Sequence, residues 1–562
     1  MSDEPQESTL PLDETEAARA ADAAAQAAPA NAPESAAAPS PEQPTATAEG
    51  PRLPPLWAAL LPIVIMVALM VYVFGFIHDA EIYDAAHLPL ACSIVVSCIV
   101  GIAYGRKFSD MMKGIIERIT TSLEAILILF MVGFLISSFM ISGTIPALIY
   151  YGLDLLSPQT FLPVGCILCA LVGMACGSSW TATATVGVAF MTIGTGLGIN
   201  PALTAGMIIS GAYVGDKFSP LSDTTNLAAA VAETDLFDHV RAMASTTGPV
   251  FVIALVIYTI LGVGVTGAGY DPSVATGIQE AIAETFWINP VLLLPIVVVI
   301  VVCAMRVPGL IGITVSVLVG IIFCVVFQTN MLGSDGSMAL ADIFAILHYG
   351  PGIETGNELV DAALSKGGLE NQMWTISLII LAVSFGGALE RCGAVQRIFG
   401  SLKERLNKPG SLVCATLGTS LACDAVMCDQ YLGIGIPAPL YVDKYDEQGL
   451  GRNMLSRTLE DAGTMWSPLF PWTACGAYQM SVLGLSPFAY FPFAFVNVLS
   501  PIFAAITVLL KRNIFWADGA YTNLLGKTKM KKPAAAPEEA HALAVANLER
   551  LRAEGKAPVV SQ

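Results

Sequence analysis

Residues 211–230 have the sequence GAYVGDKFSPLSDTTNLAAA and combine ionisable side chains with helix-breaking residues. Asp216, Lys217 and Asp223 stand among glycine, proline, hydroxyl and amide residues, with apolar sequence on both sides. Gly and Pro interrupt helices, and ionisable residues within apolar segments are costly and are usually functional. The stretch therefore predicts a broken helix with a polar site at the break.

The rest of the chain indicates a membrane environment for this break. Hydrophobic residues make up 55% of the 562 positions and charged residues only 13%, about half of the charged share of a soluble domain. Several charge-free apolar runs reach the ~20 residues that cross a bilayer as a helix. These runs include Leu56–Phe76, Thr247–Thr266, Phe286–Met305, Gly309–Phe327 and Tyr490–Leu510. We predict an all-α polytopic membrane protein.

The two ends of the chain differ from its middle in composition. Residues 1–52 are rich in Ala and Pro, and positions 1–50 hold ten acidic residues and one Arg, half of the net charge of −18. This composition is typical of a disordered tail, and it lacks the basic start of a signal peptide. We assign residues 53–511 to the transmembrane domain. Residues 512–562 form a basic and then helical tail, with apolar residues at helical spacing in Glu538–Glu554.

Basic residues in short loops predict the orientation. The cytoplasmic markers are Arg106, Lys107, Lys113, Arg118, Lys403, Arg405, Lys408, Lys511, Arg512, Lys527, Lys529, Lys531 and Lys532. The acidic stretch His78–Asp84 and the connection Gln328–Gln372 then lie outside. We expect a multi-pass protein of the bacterial inner membrane with both termini in the cytoplasm.

An internal repeat is indicated by two pairs of similar breaks. Gly143 and Gly393 are offset by 250 positions, and Ser219–Leu221 recurs as Ser467–Leu469 at an offset of 248. The spans that begin near residues 122 and 374 are predicted to run in opposite directions. We therefore predict inverted repeats over about residues 122–228 and 374–480, with discontinuous or re-entrant helices.

Four polar segments interrupt apolar sequence: Gly177–Thr185, Gly211–Asn226, Ser420–Tyr431 and Arg457–Tyr478. Irregular backbone is tolerated at membrane depth only where protein or a watery cavity receives its polar groups. Hydroxyls, carbonyls and carboxylates are hard oxygen ligands, suited to Na⁺ or a proton. We expect Ser178, Ser179 and Thr181 to line the cavity.

Asp223 is the leading candidate for the ion site. It follows a proline and precedes Thr224, Thr225 and Asn226, so a broken helix gives it three oxygen-bearing neighbours. A carboxylate there can bind Na⁺ when ionised and a proton when burial favours the neutral form. The alternative is that Asp223 caps a helix that resumes at Asn226.

The second half supplies further carboxylates. We interpret one of Asp424 and Asp429 as a ligand and the other as a cap, and we favour Asp429 as the second Na⁺ ligand because Gln430 and Tyr431 extend its polar cluster.

Asp216 and Glu460 are secondary candidates. Asp216 and Lys217 could pair locally or stand at an aqueous entrance. Glu460 and Asp461 follow Arg457 at helical spacing, so a salt-bridged cluster is an alternative to an ion site.

Other chemistries find little support in the sequence. The five histidines do not cluster, the C-x-x-C at Cys166 and Cys169 lies in an apolar helix, and the phosphate-binding pattern G-x-x-x-x-G-K-[ST] is absent. These observations argue against a metal centre and an ATP-driven pump. We expect neither an enzyme nor a bound cofactor.

At these segments the chain resembles the NhaC family of sodium/proton antiporters. The match is strongest at GAYVGDKFSPLSDTTNLAAA and extends over about residues 55–510, including GSSWTATATVGVA at Gly177–Ala189 and FGGALERCG at Phe385–Gly393. The resemblance implies an inverted-repeat transporter whose two broken elements meet at a central site. The chain departs from the family pattern at Asp424 and Cys428, where smaller or hydroxyl residues are expected.

We predict Na⁺/H⁺ exchange by alternating access. The partners are Na⁺, H⁺ and the lipid bilayer, with no nucleic acid, and a homodimer is left open. The alternative is a carrier of a small organic acid, such as malate or lactate, or of an amino acid, with Lys217 or Arg391 holding the carboxylate. An ion channel is a third hypothesis, which the interrupted elements disfavour.

Overall fold

A computed structural model describes residues 52–76, 86–265, 272–305, 307, 309–328, 340–400, 406–530 and 538–553. The acidic N-terminal segment and the stretch at 78–84 lie outside these residues. Among the described residues, seven helices are long and apolar enough to cross a membrane, or up to nine if two bent helix pairs each count as one span. The prediction of an all-α polytopic membrane protein is confirmed.

Eleven helices lie in the described residues of the first half of the domain. They are α1 (Leu56–Phe76), α2 (His87–Ala103), α3 (Phe108–Thr121), α4 (Leu123–Ile141), α5 (Thr144–Leu155), α6 (Pro158–Cys176), α7 (Ser179–Ala182), α8 (Val188–Gly196), α9 (Pro201–Phe218), α10 (Asp223–Val231) and α11 (Leu236–Val265). A π-helical turn, Thr183–Gly187, joins α7 to α8.

The middle of the chain and the second half of the domain are also helical. They comprise α12 (Pro272–Thr285), α13 (Leu294–Ala304), α14 (Gly309–Phe327), α15 (Leu340–Tyr349), α16 (Glu358–Leu364), α17 (Leu369–Arg391), α18 (Ala394–Gly400), α19 (Pro409–Met427), α20 (Gln430–Gly435), α21 (Pro437–Glu447), α22 (Arg452–Trp466), α23 (Ala474–Leu483), α24 (Pro487–Tyr490) and α25 (Phe495–Leu509). Short 3₁₀ turns lie at Pro290–Leu293, Ser467–Leu469 and Phe491–Phe493.

Two of the apolar runs seen in the sequence belong to bent helix pairs. Pro272–Thr285 and Pro290–Val302 meet at 97°, and Pro487–Phe493 and Phe495–Leu509 meet at 60°. Pro290 and Pro487 each begin one segment of these pairs. Proline is favoured at the first turn of a helix. Each pair is a broken span or a re-entrant loop.

The C-terminal segment holds a small sheet that the sequence analysis does not predict. Strands β1 (Ile514–Phe515), β2 (Ala520–Thr522) and β3 (Thr528–Met530) are antiparallel in the order β1-β2-β3. Helix α26 (Glu538–Ala553) follows and packs on α21. Its Leu548 is buried beside Gly449, where a Cβ would lie 2.5 Å from the Leu548 Cβ.

Helices α6 and α9 pack more closely than side chains normally allow. A Cβ at Gly173 would lie 2.6 Å from the Ala212 carbonyl oxygen, and one at Gly215 would lie 2.1 Å from the Ala170 carbonyl oxygen. Small residues permit such backbone contact between membrane helices. The contact brings the C-terminal ends of α6 and α9 together, and both helices break at this point.

The broken elements of the two halves have matching backbone features. Helix α6 ends at Gly177 with φ +64°, and α19 ends at Cys428 with φ +61°. The next residues, Ser178 and Asp429, are 251 positions apart and cap α7 and α20. The order of helices around each break is the same in both halves.

Candidate functional site

A pocket of about 670 Å³ lies where the broken elements meet. Its polar lining comes from both halves of the domain. The residues are Arg118, Thr121, Glu124, Ser178, Ser179, Asp216, Ser222, Asp223, Thr224, Glu390, Gln396, Gln430 and Tyr431. Trp180 also lines the pocket and stacks on Tyr478, with ring centroids 4.4 Å apart. The Tyr478 hydroxyl donates to the Trp180 carbonyl oxygen at 2.8 Å, so this stacked pair joins α7 to α23.

Asp216 is held by the N-terminus of α7. Its Oδ2 accepts hydrogen bonds from the backbone N–H of Ser179 at 3.0 Å and from the Ser179 hydroxyl at 2.8 Å. The side chain is buried and lies on the pocket wall. Hydrogen bonds from a helix N-terminus stabilise a carboxylate. The two breaks of the first half thus share one carboxylate.

Asp223 occupies the first position of α10 and is exposed to the pocket. The residue that caps α10 is Ser222, whose Oγ accepts from the Thr225 backbone N–H at 3.5 Å. The alternative that Asp223 is a cap is therefore wrong. The Asn226 amide donates to the carbonyl oxygens of Pro220 and Ser222, at 3.0 and 2.7 Å. Asn226 therefore holds the loop that presents Asp223.

Thr224 and Thr225 lead from the pocket to a buried carboxylate in the second half. Both hydroxyls donate to Glu460 Oε1, at 3.2 and 3.1 Å. Glu460 Oε2 lies 2.8 Å from His239 Nε2, and His239 Nδ1 lies 2.8 Å from the Ser456 hydroxyl. All five side chains are buried. The chain of contacts links α10, α11 and α22.

Lys217 pairs with Asp461 and not with the adjacent Asp216. Both side chains are fully buried, and Asp461 Oδ1 also accepts from Thr246 and Ser500, each at 3.1 Å. Arg457 Nε lies 3.7 Å from Asp461 Oδ2. The predicted helical spacing of Arg457 and Asp461 therefore yields an ion pair, whereas Glu460 turns to His239 and the threonines.

Three of the predicted site residues take part in hydrogen bonds with backbone N–H groups at the starts of α7 and α20. They are Ser178, Thr181 and Asp429. Ser178 Oγ accepts from the Thr181 N–H at 3.2 Å, and Ser178 faces the pocket while Thr181 is buried behind it. Asp429 Oδ1 accepts from the N–H groups of Tyr431 and Leu432, at 2.6 and 3.4 Å. Asp429 is the cap of α20, so a ligand role for it would rest on its other oxygen.

Two ion pairs join α3 to the end of α17 beside the pocket. Arg118 pairs with Glu390, and Arg391 Nη2 lies 2.6 Å from Glu117 Oε2. Arg118 and Glu390 line both the pocket and an adjacent cavity of about 430 Å³ that also contacts Arg106. The two ion pairs form a charged rim where the pocket meets the adjacent cavity.

Sequence reasoning missed His239 and this rim. His239 stands alone in its own segment, and its partner Glu460 is 221 positions away. Glu390 and Arg118 are 272 positions apart. No local pattern connects residues at such separations. Within the described residues, no group of three or more His, Cys, Asp or Glu side chains is arranged to hold a metal ion.

A polytopic helical fold with interrupted elements around an acidic, hydroxyl-lined pocket is that of a secondary transporter. Residues 211–512 match the Na⁺/H⁺ antiporter family. The chain is 37% identical over 418 residues to the Na⁺/H⁺ antiporter NhaC of Alkalihalophilus pseudofirmus, covering 74% of this chain and 88% of that protein. The chain belongs to the Na⁺/H⁺ antiporter family.

Relatives named for other substrates are similar to the same degree. The malate-2H⁺/Na⁺-lactate antiporter of Bacillus subtilis is 34% identical over 449 residues, 80% of this chain and 93% of that protein. The arginine/ornithine antiporter ArcD of Halobacterium salinarum is 37% identical over 424 residues, 75% of this chain and 86% of that protein. Identity alone therefore does not separate the solutes.

Proposed function

We propose that the protein exchanges Na⁺ for H⁺ across the bacterial inner membrane by alternating access. The observation that carries this proposal is the pocket in which Asp216 and Asp223 stand with the hydroxyls of Ser178, Ser179 and Thr224. These oxygens come from the breaks that follow α6 and α9. Hard oxygen donors of this kind suit a small hard cation.

Coupling follows from competition for the same carboxylates. An ionised carboxylate attracts Na⁺, and a protonated one does not. Asp223 is exposed to the pocket and is not used as a helix cap, so we assign it the direct contact with the ion. Asp216 supplies a second negative charge that Ser179 orients. Asp429 caps α20, whose first residues Gln430 and Tyr431 line the pocket, and we assign to it the second carboxylate of the site.

Glu460 acts behind the pocket wall in this proposal. It accepts both threonine hydroxyls of α10 and so holds that helix start in place. His239 contacts its other oxygen. We assign Glu460 and His239 to positioning the start of α10 and not to contact with Na⁺.

Alternating access would use the two halves as inverted repeats, over about residues 122–228 and 374–480. The shared helix order and the paired breaks at Gly177 and Cys428 support this assignment. The pocket adjoins Arg118, in a segment that the distribution of basic residues assigns to the cytoplasm. We infer a conformation open toward the cytoplasm, with both termini on that side and no bound cofactor.

The exchange of an organic acid or an amino acid is the competing hypothesis, suggested by two of the relatives. A carboxylate substrate requires a free cationic group or a helix N-terminus. The two basic residues that the sequence offers are both paired, Lys217 with Asp461 and Arg391 with Glu117. This pairing argues against Lys217 or Arg391 as the site for a substrate carboxylate.

Everted membrane vesicles with an imposed pH gradient separate the hypotheses. Added Na⁺ should dissipate the gradient in vesicles that contain the protein, and vesicles without it serve as the control. A response to malate, lactate, arginine or ornithine, with none to Na⁺ alone, would overturn Na⁺/H⁺ exchange. Channel-like flux of Na⁺ without proton movement would overturn it as well.

A further inference from the structure

Asp424 is a buried carboxylate that the proposed exchange at the pocket does not use. It lies in the last turn of α19, four residues before the break at Cys428. Its side chain is 0% exposed, and neither carboxylate oxygen has a hydrogen-bond partner among the described residues. An ionised carboxylate in such surroundings is strongly unfavourable. The group is therefore neutral or neutralised by a bound cation.

The groups that face Asp424 provide no positive charge. They are the carboxylate of Asp429 and the thiols of Cys423, Cys428 and Cys475. The negative neighbour makes a charge on Asp424 still less favourable. A metal ion needs several oxygen ligands around it, whereas the described neighbours offer only the Ser467 hydroxyl and the carboxylate of Asp429, which already accepts two backbone N–H groups as the cap of α20. These surroundings favour a proton as the bound cation.

The corresponding place in the first half has a different arrangement. There Asp216, at the end of α9, accepts two hydrogen bonds from Ser179 at the start of α7. In the second half the carboxylate comes from α19, and its neighbour Ser467 follows α22. Asp216 and Asp424 therefore both lie next to a helix break. Asp216 accepts two hydrogen bonds that support a negative charge, whereas Asp424 has only the Ser467 hydroxyl beside it.

Polar groups extend from Asp424 toward the first half. The Ser467 hydroxyl lies beside Asp424 and Cys475, and the Tyr213 hydroxyl lies beside Cys475 and Gln479. Among the described residues, the side-chain hydroxyls of Ser467 and Tyr213 and both amide atoms of Gln479 are buried and form no hydrogen bond of normal geometry. Tyr213 precedes Asp216 by three positions on α9, which places both on one face of the helix. The series leads from Asp424 to the helix that carries the pocket carboxylate.

We propose that Asp424 is a second proton-binding site, which holds a proton in this conformation and carries it across the membrane during exchange. The carboxylic acid forms by proton uptake on one side of the membrane, and loss of the same proton on the other side restores the carboxylate. No other bond changes. The proposal rests on the proposed Na⁺/H⁺ exchange. It adds one proton per transport cycle to the protons that the pocket carboxylates bind and release.

Transport stoichiometry tests the added proton. The full-length protein is reconstituted in liposomes, and the H⁺/Na⁺ ratio is obtained from the Na⁺ gradient that balances an imposed pH gradient at a clamped potential. Asp424→Asn should still exchange, with one proton fewer per Na⁺ and a changed response to membrane potential. An unchanged ratio would overturn the proposal. Absence of Na⁺-driven proton flux in the wild type would instead overturn the proposed exchange.

Infrared spectroscopy tests the bound proton without transport. The purified wild-type protein at neutral pH should show the carbonyl stretch of a buried carboxylic acid, and Asp424→Asn should lack it. Asp446→Asn is the matched control, because Arg452 binds the Asp446 carboxylate through two hydrogen bonds, at 2.9 and 2.7 Å, and supplies the positive charge that Asp424 lacks.

A third variant covers the case in which Asp424→Asn does not fold. Ser467→Ala removes the hydroxyl beside the acid and should shift the frequency of this carbonyl stretch. A shift supports the proposal, and a carbonyl region that is the same in the wild type and in every folded variant overturns it.

Discussion

The carboxylate of Asp216 accepts both the backbone N–H and the hydroxyl of Ser179, at 3.0 and 2.8 Å, and so joins the breaks that follow α6 and α9. The two residues come from segments that are separate in the sequence and that both line the pocket. The contact ties the ion site to the backbone of a helix start. A change in this contact should therefore affect the pH dependence of exchange as well as its rate.

Ser179→Ala removes one of the two donors to Asp216 and leaves the backbone N–H. A hydrogen bond to a charged group contributes about 1.5–3 kcal/mol, so protonation of Asp216 becomes easier. We expect the pH profile of exchange to move by one unit or more toward alkaline values, measured as Na⁺-driven dissipation of a pH gradient in everted vesicles. Ser157→Ala, at the cap that starts α6, should leave the profile unchanged. An unshifted profile in Ser179→Ala would remove Asp216 from the proton-binding step.

Asp223→Asn tests the direct contact with Na⁺. Asp223 is exposed to the pocket, and Ser222 caps α10 in its place, so the substitution should leave the fold and membrane insertion intact. We expect exchange to fall by at least 100-fold, since the loss of one charge from an ion site removes ~3 kcal/mol or more of binding. The measurement is ²²Na⁺ uptake by proteoliposomes.

Asp238→Asn is the matched control for that experiment. Asp238 lies in the first turn of α11, pairs with Arg241 and does not line the pocket. Its substitution also removes one carboxylate and should retain exchange. Wild-type uptake by Asp223→Asn would exclude this residue from the mechanism.

The sequence predicted the fold class and the breaks within the four polar segments, but not the bends at the runs Phe286–Met305 and Tyr490–Leu510. Hydrophobic runs predict membrane helices because the bilayer fixes their length, and the helices Leu56–Phe76 and Gly309–Phe327 have the predicted bounds. The break at Ser219–Leu221 follows from its proline and its polar residues. These signals are local, so one sequence contains them.

The partners of the buried charges could not be predicted in the same way. Lys217 lies next to Asp216 in the chain but pairs with Asp461, 244 positions away. The cap of α10 is Ser222 or Asp223 according to whether the helix begins one residue earlier or later. Helix ends are the least certain feature of a sequence pattern. The terminal sheet was missed because its strands are only two or three residues long.

The buried pair of Lys217 and Asp461 predicts a strongly non-additive result. Lys217→Met leaves Asp461 with Arg457 at 3.7 Å and two hydroxyls, and Asp461→Leu leaves Lys217 without its carboxylate. Removal of one partner of a buried pair costs about 3–5 kcal/mol. Each single variant should therefore have a much lower unfolding temperature in detergent. The double variant should recover only part of the loss, because the buried Arg457 still lacks the Asp461 carboxylate.

The exposed pair of Lys444 and Glu447 is the control for this cycle. Its nitrogen–oxygen distance is 2.6 Å, but the Glu447 side chain is 50% exposed. Such a pair contributes about 0–1 kcal/mol, so Lys444→Met should barely change the unfolding temperature. Additive losses in the Lys217 and Asp461 double variant would mean that the two side chains act independently.

The backbone at the two helix breaks predicts opposite effects of substitutions at equivalent positions. Gly177 has φ +64°, and a Cβ there would lie 2.7 Å from the Leu221 Cβ and 2.9 Å from the Leu221 carbonyl carbon. Gly177→Ala therefore combines a left-handed backbone with a clash, which should cost roughly 1–3 kcal/mol and separate the breaks after α6 and α9.

Cys428 has φ +61° and already carries a Cβ in this unfavourable region. Cys428→Gly removes that backbone strain, worth about 1 kcal/mol, at the expense of buried thiol contacts. Thermal unfolding in detergent should show a clear loss for Gly177→Ala and little change or a gain for Cys428→Gly, and exchange should fall only in the alanine variant. Equal losses in both variants would mean that packing of the side chain, and not the backbone conformation, determines the residue at these two breaks.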